Sequence, residues 1–178
     1  MSRVLDNFPR LAVIILNWNG LKDTRECLES LRKTDYSNYQ IFLVDNGSKG
    51  NDAEILKKEY GDFIAVISNE TNLGFAEGNN VAIREALEDA EVKYVFLLNN
   101  DTTVEPDFLT EAVKAAIGDR RSAINGKIGM VATRMVDYYR RDEVDSLGVR
   151  LTRGGLAFNI KRTSDQANER SATNLPRR

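Results

Sequence analysis

The sequence predicts an α/β fold in which helices flank a mostly parallel, twisted sheet. Four short apolar runs rich in β-branched residues alternate with segments of helical periodicity, and a polar cluster follows each run. Buried parallel strands read as continuous apolar segments, and regular alternation of strand and helix is typical of a parallel sheet with right-handed crossovers. A chain of 178 residues, 42% of them hydrophobic, is long enough for one compact domain with a sizeable core.

The four apolar runs are the predicted strands of the sheet. They span residues 11–16, 41–44, 63–67 and 94–98. Helical patterns follow them, at residues 21–31, 52–60, from 78 or 79 to about 90, and 106–118. Gly61 suits the end of the second helix, and Pro106 suits the first turn of the fourth. A fifth strand is predicted at 128–136, with weaker strand signals at 147–151 and 157–160.

The chain is predicted to have three parts: an N-terminal extension at residues 1–10, one domain at 11–160 and a polar tail at 161–178. The composition of the tail favours disorder, or order induced by a partner. Residues 1–10 carry charges where a signal peptide would be apolar, and no apolar run approaches the roughly 20 residues that span a bilayer. We therefore expect a cytoplasmic protein with no transmembrane segment.

Composition excludes several classes of function. The sequence has no His, which removes imidazole bases, His-bearing zinc sites and the Ser-His or Cys-His catalytic arrangements. Cys27 is the single cysteine and lies beside Leu28 in a helical pattern, so we interpret it as a reduced packing residue. With 25 Lys and Arg against 27 Asp and Glu, the net charge of -2 gives no electrostatic footprint for nucleic acid. The chemistry must therefore come from carboxylates, amides or the backbone.

Short polar residues gather at the end of every core strand. The clusters lie at residues 17–20, at 45–48, at 68–69 together with 72–75, and at 99–102. In an open parallel sheet the carboxyl ends of the strands share one edge, where ligands bind. Any one cluster could simply supply turn and N-cap residues. Four in succession, with amides in all and acids in two, favour a cleft for a ligand that carries ring edges, hydroxyls and phosphate.

The two acids of these clusters are the strongest individual candidates. Asp101 can give a hard cation, Mg²⁺ or Mn²⁺, one anionic oxygen while a diphosphate and water supply the others. Its alternative role is to cap the turn before Pro106. Asp45 can accept a hydrogen bond from the imide of a pyrimidine or from a ribose hydroxyl. As a turn former with Asn46 and Gly47, it would look identical.

Other residues of the clusters suit a nucleotide less specifically. The Trp18 ring could cover a nucleobase or pack beneath its loop. Gly74 and Gly78 allow close approach of the backbone and start a helix whose N-terminus can face phosphate. Asn79 could donate its amide to the ligand from that first turn, whereas Asn80 could be helix-start chemistry alone.

Two common nucleotide-binding motifs are missing from the sequence. No G-x-x-x-x-G-K-[ST] segment occurs, so a P-loop NTPase is unsupported. The first strand runs into Asn17-Trp18-Asn19-Gly20 instead of G-x-G-x-x-G, which disfavours an ordinary dinucleotide dehydrogenase. A nucleotidyltransferase with a similar sheet is the least favoured functional hypothesis, because no loop rich in glycine and basic residues follows the first strand.

The segments VIILNWNG (13–20), VDNGS (44–48), NLGFAEGNN (72–80) and LLNNDT (97–102) carry a family resemblance. In this order they resemble the family 2 glycosyltransferases, and most of all the rhamnosyltransferase-type members. The resemblance covers about 11–136 and continues more weakly to about 158. It implies the type A nucleotide-diphospho-sugar transferase fold, and transfer of a sugar from a nucleoside diphosphate in cell-wall or polysaccharide biosynthesis.

The resemblance also implies roles for individual residues at the donor site. The positions implied to bind the nucleoside are Asn17, Trp18, Asn19, Asp45 and Asn46. Gly74 and Asn79 are implied to border the donor. The metal motif corresponds to Asn99, Asn100 and Asp101. The last three replace the family's Asp-x-Asp motif. Since Asn99 stands for its first acid, Asp101 is the one clear carboxylate ligand for Mg²⁺ or Mn²⁺. The implied reaction is direct displacement at the anomeric carbon, with the cation neutralising the departing diphosphate.

An acceptor hydroxyl would need a general base, and the resemblance does not supply one. The acceptor-binding half of the family, with its Gly-Ala-rich segment and Glu-Asp pair, has no match here. Asp142, Glu143 and Asp145 match no base motif and are interpreted as solvated loop residues. We expect a truncated chain, a degenerate relative or one part of a complex, and the alternative to an enzyme is a nucleotide-sugar-binding module without transfer.

The partners follow from the same resemblance. They are a nucleotide-sugar donor, an unidentified saccharide or lipid-linked acceptor, and a second copy of the chain if apolar surface is exposed. Two locations fit such an enzyme, free in the cytoplasm or peripheral at the inner face of the membrane.

Overall fold

A computed structural model describes residues 8–118, 128–151 and 156–159 of the chain. The elements in chain order are β1 (Arg10–Asn17), α1 (Leu21–Leu31), β2 (Tyr39–Asp45), α2 (Asp52–Tyr60), β3 (Ile64–Ser68), α3 (Gly74–Ala86), β4 (Val92–Asn99), α4 (Phe108–Gly118), β5 (Met135–Val136), β6 (Val144–Ser146), β7 (Val149–Leu151) and β8 (Ala157–Asn159). The chain divides into two units, Met1–Val113 and Lys114–Arg178. The predicted tail at 161–178 lies outside the described residues, and the predicted domain bounds stay predictions.

The first unit is built on a four-stranded parallel sheet in the order β3-β2-β1-β4. This confirms the predicted α/β class, with helices connecting parallel strands. The register pairs Asn17 with Asp45, Leu16 with Asn99, and Asp45 with Ser68. The polar ends of all four strands therefore meet at the same edge of the sheet.

Two apolar clusters hold helices on the two faces of this sheet. On one face, Val13 and Ile15 of β1 belong to the same buried cluster as Leu28 and Leu31 of α1 and Leu56 of α2. On the other face, Ala12, Ile14, Phe42 and Val44 share a cluster with Ala82 and Ala86 of α3. Burial of each large aliphatic side chain contributes about 1.5–3 kcal/mol. These faces fix β1 and β2 as the buried centre of the fold.

The observed bounds of α1 and α2 agree with the sequence, but α3 begins earlier than predicted. The helix starts at Gly74, where the sequence placed its first residue at Gly78 or Asn79. The early start has a side-chain cause, since the backbone N–H of Gly74 donates to Asn72 Oδ1 over 2.7 Å and Leu73 N–H donates to Asn46 Oδ1 over 3.1 Å. The glycines in this stretch therefore lie within the helix.

The predicted fifth strand at 128–136 is wrong in extent. Within the described residues, β5 covers Met135–Val136 and pairs antiparallel with β6, outside the four-stranded sheet. Residues 128–134 pair with no described strand, and Met130 is 90% exposed. An apolar run becomes a strand through a hydrogen-bonded neighbour, which this stretch lacks among the described residues. The weaker signals near 147–151 and 157–160 correspond to β7 and β8, which pair antiparallel.

Two apolar side chains of β4 stay exposed on the face that α3 covers elsewhere. Val95 pairs with Ala12 and Leu97 with Ile14, yet Val95 is 36% exposed and Leu97 47%. Strands of parallel sheets are ordinarily buried on both faces. The α3 face of β4 is thus the least covered part of the sheet. No helix in the described ranges is both long and apolar enough to cross a membrane.

Gly47→Ala should destabilise the protein more than Gly74→Ala. The two glycines have left-handed φ angles of +74° and +78°, which cost an L-residue about 1–2 kcal/mol. A Cβ at Gly47 would lie 2.5 Å from the backbone carbon of Thr71, whereas a Cβ at Gly74 would meet no described atom within 4 Å. We expect Gly74→Ala to cost about 1 kcal/mol and Gly47→Ala at least about twice that in urea unfolding. Equal losses would show that the Thr71 contact is unimportant.

Candidate functional site

A buried amide lies at the centre of the polar edge of the sheet. Asn17 is fully buried at the end of β1. Its Nδ2 donates to Asp45 Oδ1 over 2.7 Å and to Asp52 Oδ2 over 3.1 Å. Its Oδ1 accepts from the Thr24 hydroxyl over 2.8 Å and from the Gly20 backbone N–H over 3.2 Å. One side chain thus joins the ends of β1 and β2 to the starts of α1 and α2.

Asp45 is positioned by this amide and by its own turn. The carboxylate is 5% exposed, and besides Asn17 it accepts from the Ser48 hydroxyl over 2.6 Å and from the Ser48 backbone N–H over 3.3 Å. These three contacts occupy three of its roughly four lone-pair sites. Asp45 is therefore rigid and retains capacity for one further donor.

The loops after β1 and β2 are tied together at Asn19. This residue has a φ of 54°, in the left-handed region that Asn tolerates better than most residues. Its backbone N–H donates to Ser48 Oγ and its Oδ1 accepts from the Lys49 N–H, each over 2.8 Å. Trp18 beside it is 54% exposed, so the ring does not pack beneath the loop, which was one of its two predicted placements.

Asn46 organises the segment that leads into α3. Its side chain is 2% exposed. Its Nδ2 donates to Asn72 Oδ1 over 3.0 Å and to the Gly74 carbonyl over 3.2 Å, and its Oδ1 accepts from Asn69 Nδ2 over 3.0 Å. Asn79 is buried in the first turns of the helix, where its amide donates to the Phe75 carbonyl over 2.7 Å. Both amides therefore hold the backbone around the cleft.

The loop after β4 carries the third group of predicted residues. Asn100 Nδ2 donates to Thr24 Oγ1 over 2.9 Å. The Asn99 carbonyl accepts from Thr102 Oγ1 over 2.7 Å, which closes a turn around Asp101. The side chains of Asn99 and Asp101 are exposed. Asp101 thus projects from a loop whose backbone is held on both sides.

The structure brings the predicted residues together to different degrees. One continuous network links Asn17, Asp45 and Asn100, with Asn19 attached through Ser48. The connecting residues Thr24, Ser48 and Asp52 were not predicted individually as site residues. Thr24 and Asp52 are polar yet buried, and a hydroxyl on the apolar stripe of a predicted helix is the signal that could have identified Thr24. The contacts of Asn17 and Asn46 with the protein place both amides beneath the cleft rather than at its surface.

Asp101 is the predicted metal ligand, and it is exposed at this edge of the sheet. Among residues 8–118, 128–151 and 156–159, no group of three or more His, Cys, Asp or Glu side chains could hold a metal ion. The exposed oxygens of Asp101 are hard donors of the kind that Mg²⁺ and Mn²⁺ prefer. The arrangement fits a cation that receives most of its ligands from a bound diphosphate and water.

Comparison with known proteins identifies the family. A sequence model of glycosyl transferase family 2 matches residues 12–174. The chain belongs to glycosyl transferase family 2. An uncharacterized glycosyltransferase of Haemophilus influenzae is 31% identical to this family 2 chain over 97 residues, 54% of the chain and 31% of that protein. Poly-beta-1,6-N-acetyl-D-glucosamine synthase of Staphylococcus aureus is 30% identical over 105 residues, 58% of the chain and 24% of the synthase.

Solved structures show the same fold. Residues 1–349 of S. aureus TarS in complex with UDP-GlcNAc are 27% identical with a TM-score of 0.51, and the match covers 58% of this chain and 30% of that TarS chain. A second structure is the mannosyltransferase PcManGT from Pyrobaculum calidifontis in complex with GDP-Man and Mn²⁺. It is 21% identical with a TM-score of 0.51, and the match covers 61% of this chain and 32% of the PcManGT chain. This likeness supports the fold alone. The predicted type A glycosyltransferase fold is confirmed. This family 2 chain spans about a third or less of the length of these relatives.

Asn17→Ala should be strongly destabilising. Removal of the amide takes one donor from each of Asp45 and Asp52 and the acceptor from the Thr24 hydroxyl, and each unsatisfied buried group costs about 1–3 kcal/mol. We expect a loss of about 3 kcal/mol in the free energy of unfolding, measured in urea at pH 7. Asn80→Ala is the control, because the Asn80 amide is exposed and contacts Glu77 over 3.4 Å. Its loss should lower the free energy of unfolding by less than about 0.5 kcal/mol. A loss below about 1 kcal/mol for Asn17→Ala would contradict the central role of its amide.

Cys27 should be chemically inert in the native protein. Burial, with the neighbouring Asp101 carboxylate as the second cause, raises the pKa of its thiol to about 12. Since the thiolate is the reactive form, the native protein at pH 8 should react with a disulfide reagent roughly a thousandfold more slowly than an exposed thiol with a pKa of about 8.5. The rate should reach that of an exposed thiol in denaturant. Rapid modification of the folded protein would reject this environment.

Proposed function

We propose that this chain forms the donor-binding half of a glycosyltransferase that takes a sugar from a nucleoside diphosphate. The observation that carries the proposal is the hydrogen-bond network from Asp45 through Asn17 and Thr24 to Asn100. It joins the ends of β2, β1 and β4 into one site, with a buried acid at one end and the exposed Asp101 at the other. The complex of TarS with UDP-GlcNAc supports a nucleotide-sugar as the ligand class.

In this proposal the nucleoside lies at the β1 and β2 ends of the edge. Asp45 accepts a hydrogen bond from the base imide or from a ribose hydroxyl, using the acceptor capacity that Asn17 and Ser48 leave. The exposed Trp18 ring covers the base. Asn17, Asn19 and Asn46 hold the surrounding loops, while Gly74 and Asn79 border the donor at the start of α3.

The diphosphate lies toward the β4 end, where Asp101 would hold Mg²⁺ or Mn²⁺. The bound cation would act as a Lewis acid that neutralises charge on the departing diphosphate. Asn99 and Asn100 contribute the shape of this loop, and Asn100 fixes its backbone to α1. Asp101 alone supplies an anionic oxygen, so binding of the cation depends on the nucleotide being present.

The donor sugar and the acceptor are proposed at the level of class. The sequence motifs resemble rhamnosyltransferase-type members but do not specify the donor sugar. The likeness to a poly-N-acetylglucosamine synthase supports assembly of a polysaccharide onto a saccharide or lipid-linked acceptor. The partly exposed apolar side chains on the α3 face of β4 support a homo-oligomer. We place the reaction in the cytoplasm or at the inner face of the membrane.

Asp101→Ala should abolish the effect of metal on nucleotide binding. In calorimetry of UDP, GDP and dTDP with and without Mn²⁺, we expect the wild type to bind its preferred nucleotide about tenfold or more tightly with the cation, since a cation bridging protein and diphosphate adds about 1.4 kcal/mol or more. The variant should keep its affinity without metal and gain nothing from Mn²⁺. Asp62→Ala, an exposed acid before β3 and hence at the opposite end of the strands, is the control. The same manganese effect in Asp101→Ala would refute the metal assignment.

Asp45→Asn should weaken nucleoside binding whether or not metal is present. The substitution keeps one oxygen for Asn17 and Ser48 but replaces a charged acceptor by a donor, and a hydrogen bond to a charged group contributes about 1.5–3 kcal/mol. We expect a roughly 10- to 100-fold higher Kd for the nucleoside monophosphate, measured by calorimetry. Unchanged affinity would reject the role of Asp45.

A turnover assay separates an enzyme from a binding module. Release of nucleoside diphosphate from UDP-GlcNAc, GDP-mannose or dTDP-rhamnose that requires an added saccharide acceptor supports transfer. Tight binding of a nucleotide-sugar without any such release supports the non-catalytic alternative.

A further inference from the structure

One side of α1 carries a regular series of small polar side chains that face the segment after β4. Thr24, Cys27 and Ser30 recur at three-residue steps, which places them on one face of the helix. Their partners are the Asn100 side chain, the Asn99 carbonyl and the Val104 N–H, over 2.9, 3.8 and 3.1 Å. Just past the helix, Thr34 Oγ1 donates to the Pro106 carbonyl over 2.9 Å. The side of α1 thus acts as a template for residues 99–106.

Thr24 differs from the other members of this series because it also contacts the nucleoside end of the site. Its side chain is fully buried, and its hydroxyl donates to Asn17 Oδ1 over 2.8 Å while it accepts from Asn100 Nδ2 over 2.9 Å. A hydroxyl has one donor and two acceptor positions, so a single Thr can serve both amides at once.

The direction of this hydrogen-bond chain follows from the backbone. The N–H of Gly20 can only donate, so the atom of the Asn17 amide that faces it must be the oxygen. The NH₂ group of Asn17 then faces Asp45 and Asp52, which as carboxylates can only accept. Thr24 must therefore donate to Asn17, which leaves its lone pairs to accept from Asn100. Reversing the donors and acceptors of this chain would lose hydrogen bonds.

The packing around Asn100 leaves its side chain little room to move. A Cβ at Gly20 would lie 2.5 Å from Asn100 Nδ2 and 3.2 Å from Asn17 Oδ1. The Asn100 side chain is thus held between the backbone of the β1–α1 loop and the hydroxyl of Thr24. Since Asp101 is the next residue, the hydrogen bond from Asn100 to Thr24 holds the backbone on the N-terminal side of Asp101.

We propose that Thr24 is a positioning residue that couples the nucleoside end of the cleft to the Asp101 loop. Its hydroxyl holds Asn100, and with it Asp101, in the geometry that a nucleotide-bound cation requires. This inference rests on the proposed function for its consequence in binding, and on the hydrogen bonds of the chain for its structural part. A carboxylate that is held in place binds a cation without first losing loop entropy.

The test compares Thr24→Val with Thr24→Ser. Valine keeps the branched shape and removes the hydroxyl, whereas serine keeps the hydroxyl. The readout in calorimetry is the ratio of Kd values for a nucleoside diphosphate without and with Mn²⁺, because a general loss of packing would weaken both values and leave the ratio unchanged. We expect the ratio to fall at least about fivefold in Thr24→Val and to stay within about twofold of wild type in Thr24→Ser.

A matched control removes a buried threonine hydroxyl elsewhere in the same unit. Thr110 Oγ1 donates to Asp35 Oδ1 over 2.6 Å from α4, and its side chain is buried. Thr110→Val should lower the melting temperature without changing the metal ratio. A ratio that falls as far in Thr110→Val or Thr24→Ser as in Thr24→Val would overturn the positioning role.

A second measurement needs no ligand and separates this inference from the proposed function. NMR order parameters of the Asn100 and Asp101 amides should be near about 0.85 in wild type and Thr24→Ser, and should fall below about 0.6 in Thr24→Val. Unchanged order parameters in Thr24→Val overturn the inference, whatever the binding data show. If the wild type binds no nucleoside diphosphate, the proposed function fails and the order parameters alone decide whether Thr24 holds the loop.

Discussion

The buried amide of Asn17 is the interaction on which the polar edge of this sheet depends. A fully buried amide must find partners for both its donor and its acceptor, because an unsatisfied polar group in the interior costs more than a hydrogen bond contributes. Asn17 finds them on Asp45 at the end of β2, on Asp52 at the start of α2, and on Gly20 and Thr24 at the start of α1. Moving any one of these segments breaks a bond that water cannot replace at that depth. The ends of β1 and β2 and the starts of α1 and α2 therefore form one rigid block.

This block holds the amides of the candidate site in fixed places. Asn side chains are flexible and uncharged, and on a free loop they would select a ligand poorly. Here Asn19 and Asn46 use their hydrogen-bonding groups to tie neighbouring loops to each other, so that the groups left facing outward are held in fixed places. These polar side chains lie at the base of the cleft, whereas the ring of Trp18 and the carboxylate of Asp101 are exposed. A preorganised base of this kind lowers the entropy lost when a ligand binds.

The sequence was sufficient for what depends on local pattern and insufficient for what depends on distant partners. The four parallel strands and the bounds of α1 and α2 follow from apolar runs and helical periodicity, which are local. The start of α3 is set by Asn72 and by Asn46, which lies 28 residues before Gly74, so the helix includes residues 74–77, which lie before its predicted start. Residues 128–134 were read as a strand because apolar character does not reveal whether a neighbouring strand is present. In the same way, the polar ends of the strands could be predicted to meet, but the connecting hydroxyl of Thr24 read as one more position on a helix face.

The different burial of the two predicted acids matches the different tasks proposed for them. Asp45 is buried and already hydrogen-bonded, so its charge acts at low local dielectric and along a fixed direction, which suits recognition of one polar edge of a nucleoside. Asp101 is exposed, where two unit charges 4 Å apart attract by about 1 kcal/mol in water. One such carboxylate holds a hydrated cation weakly by itself. The charges of a diphosphate must be added, and water displaced, before the same pair becomes strong, because the effective dielectric falls as the cleft fills. Cation and nucleotide should then enter as a unit, with Asp101 acting on the pair and Asp45 on the nucleotide alone. In the role proposed for Thr24, its hydrogen bonds to Asn17 and Asn100 connect the parts of the cleft that carry those two acids.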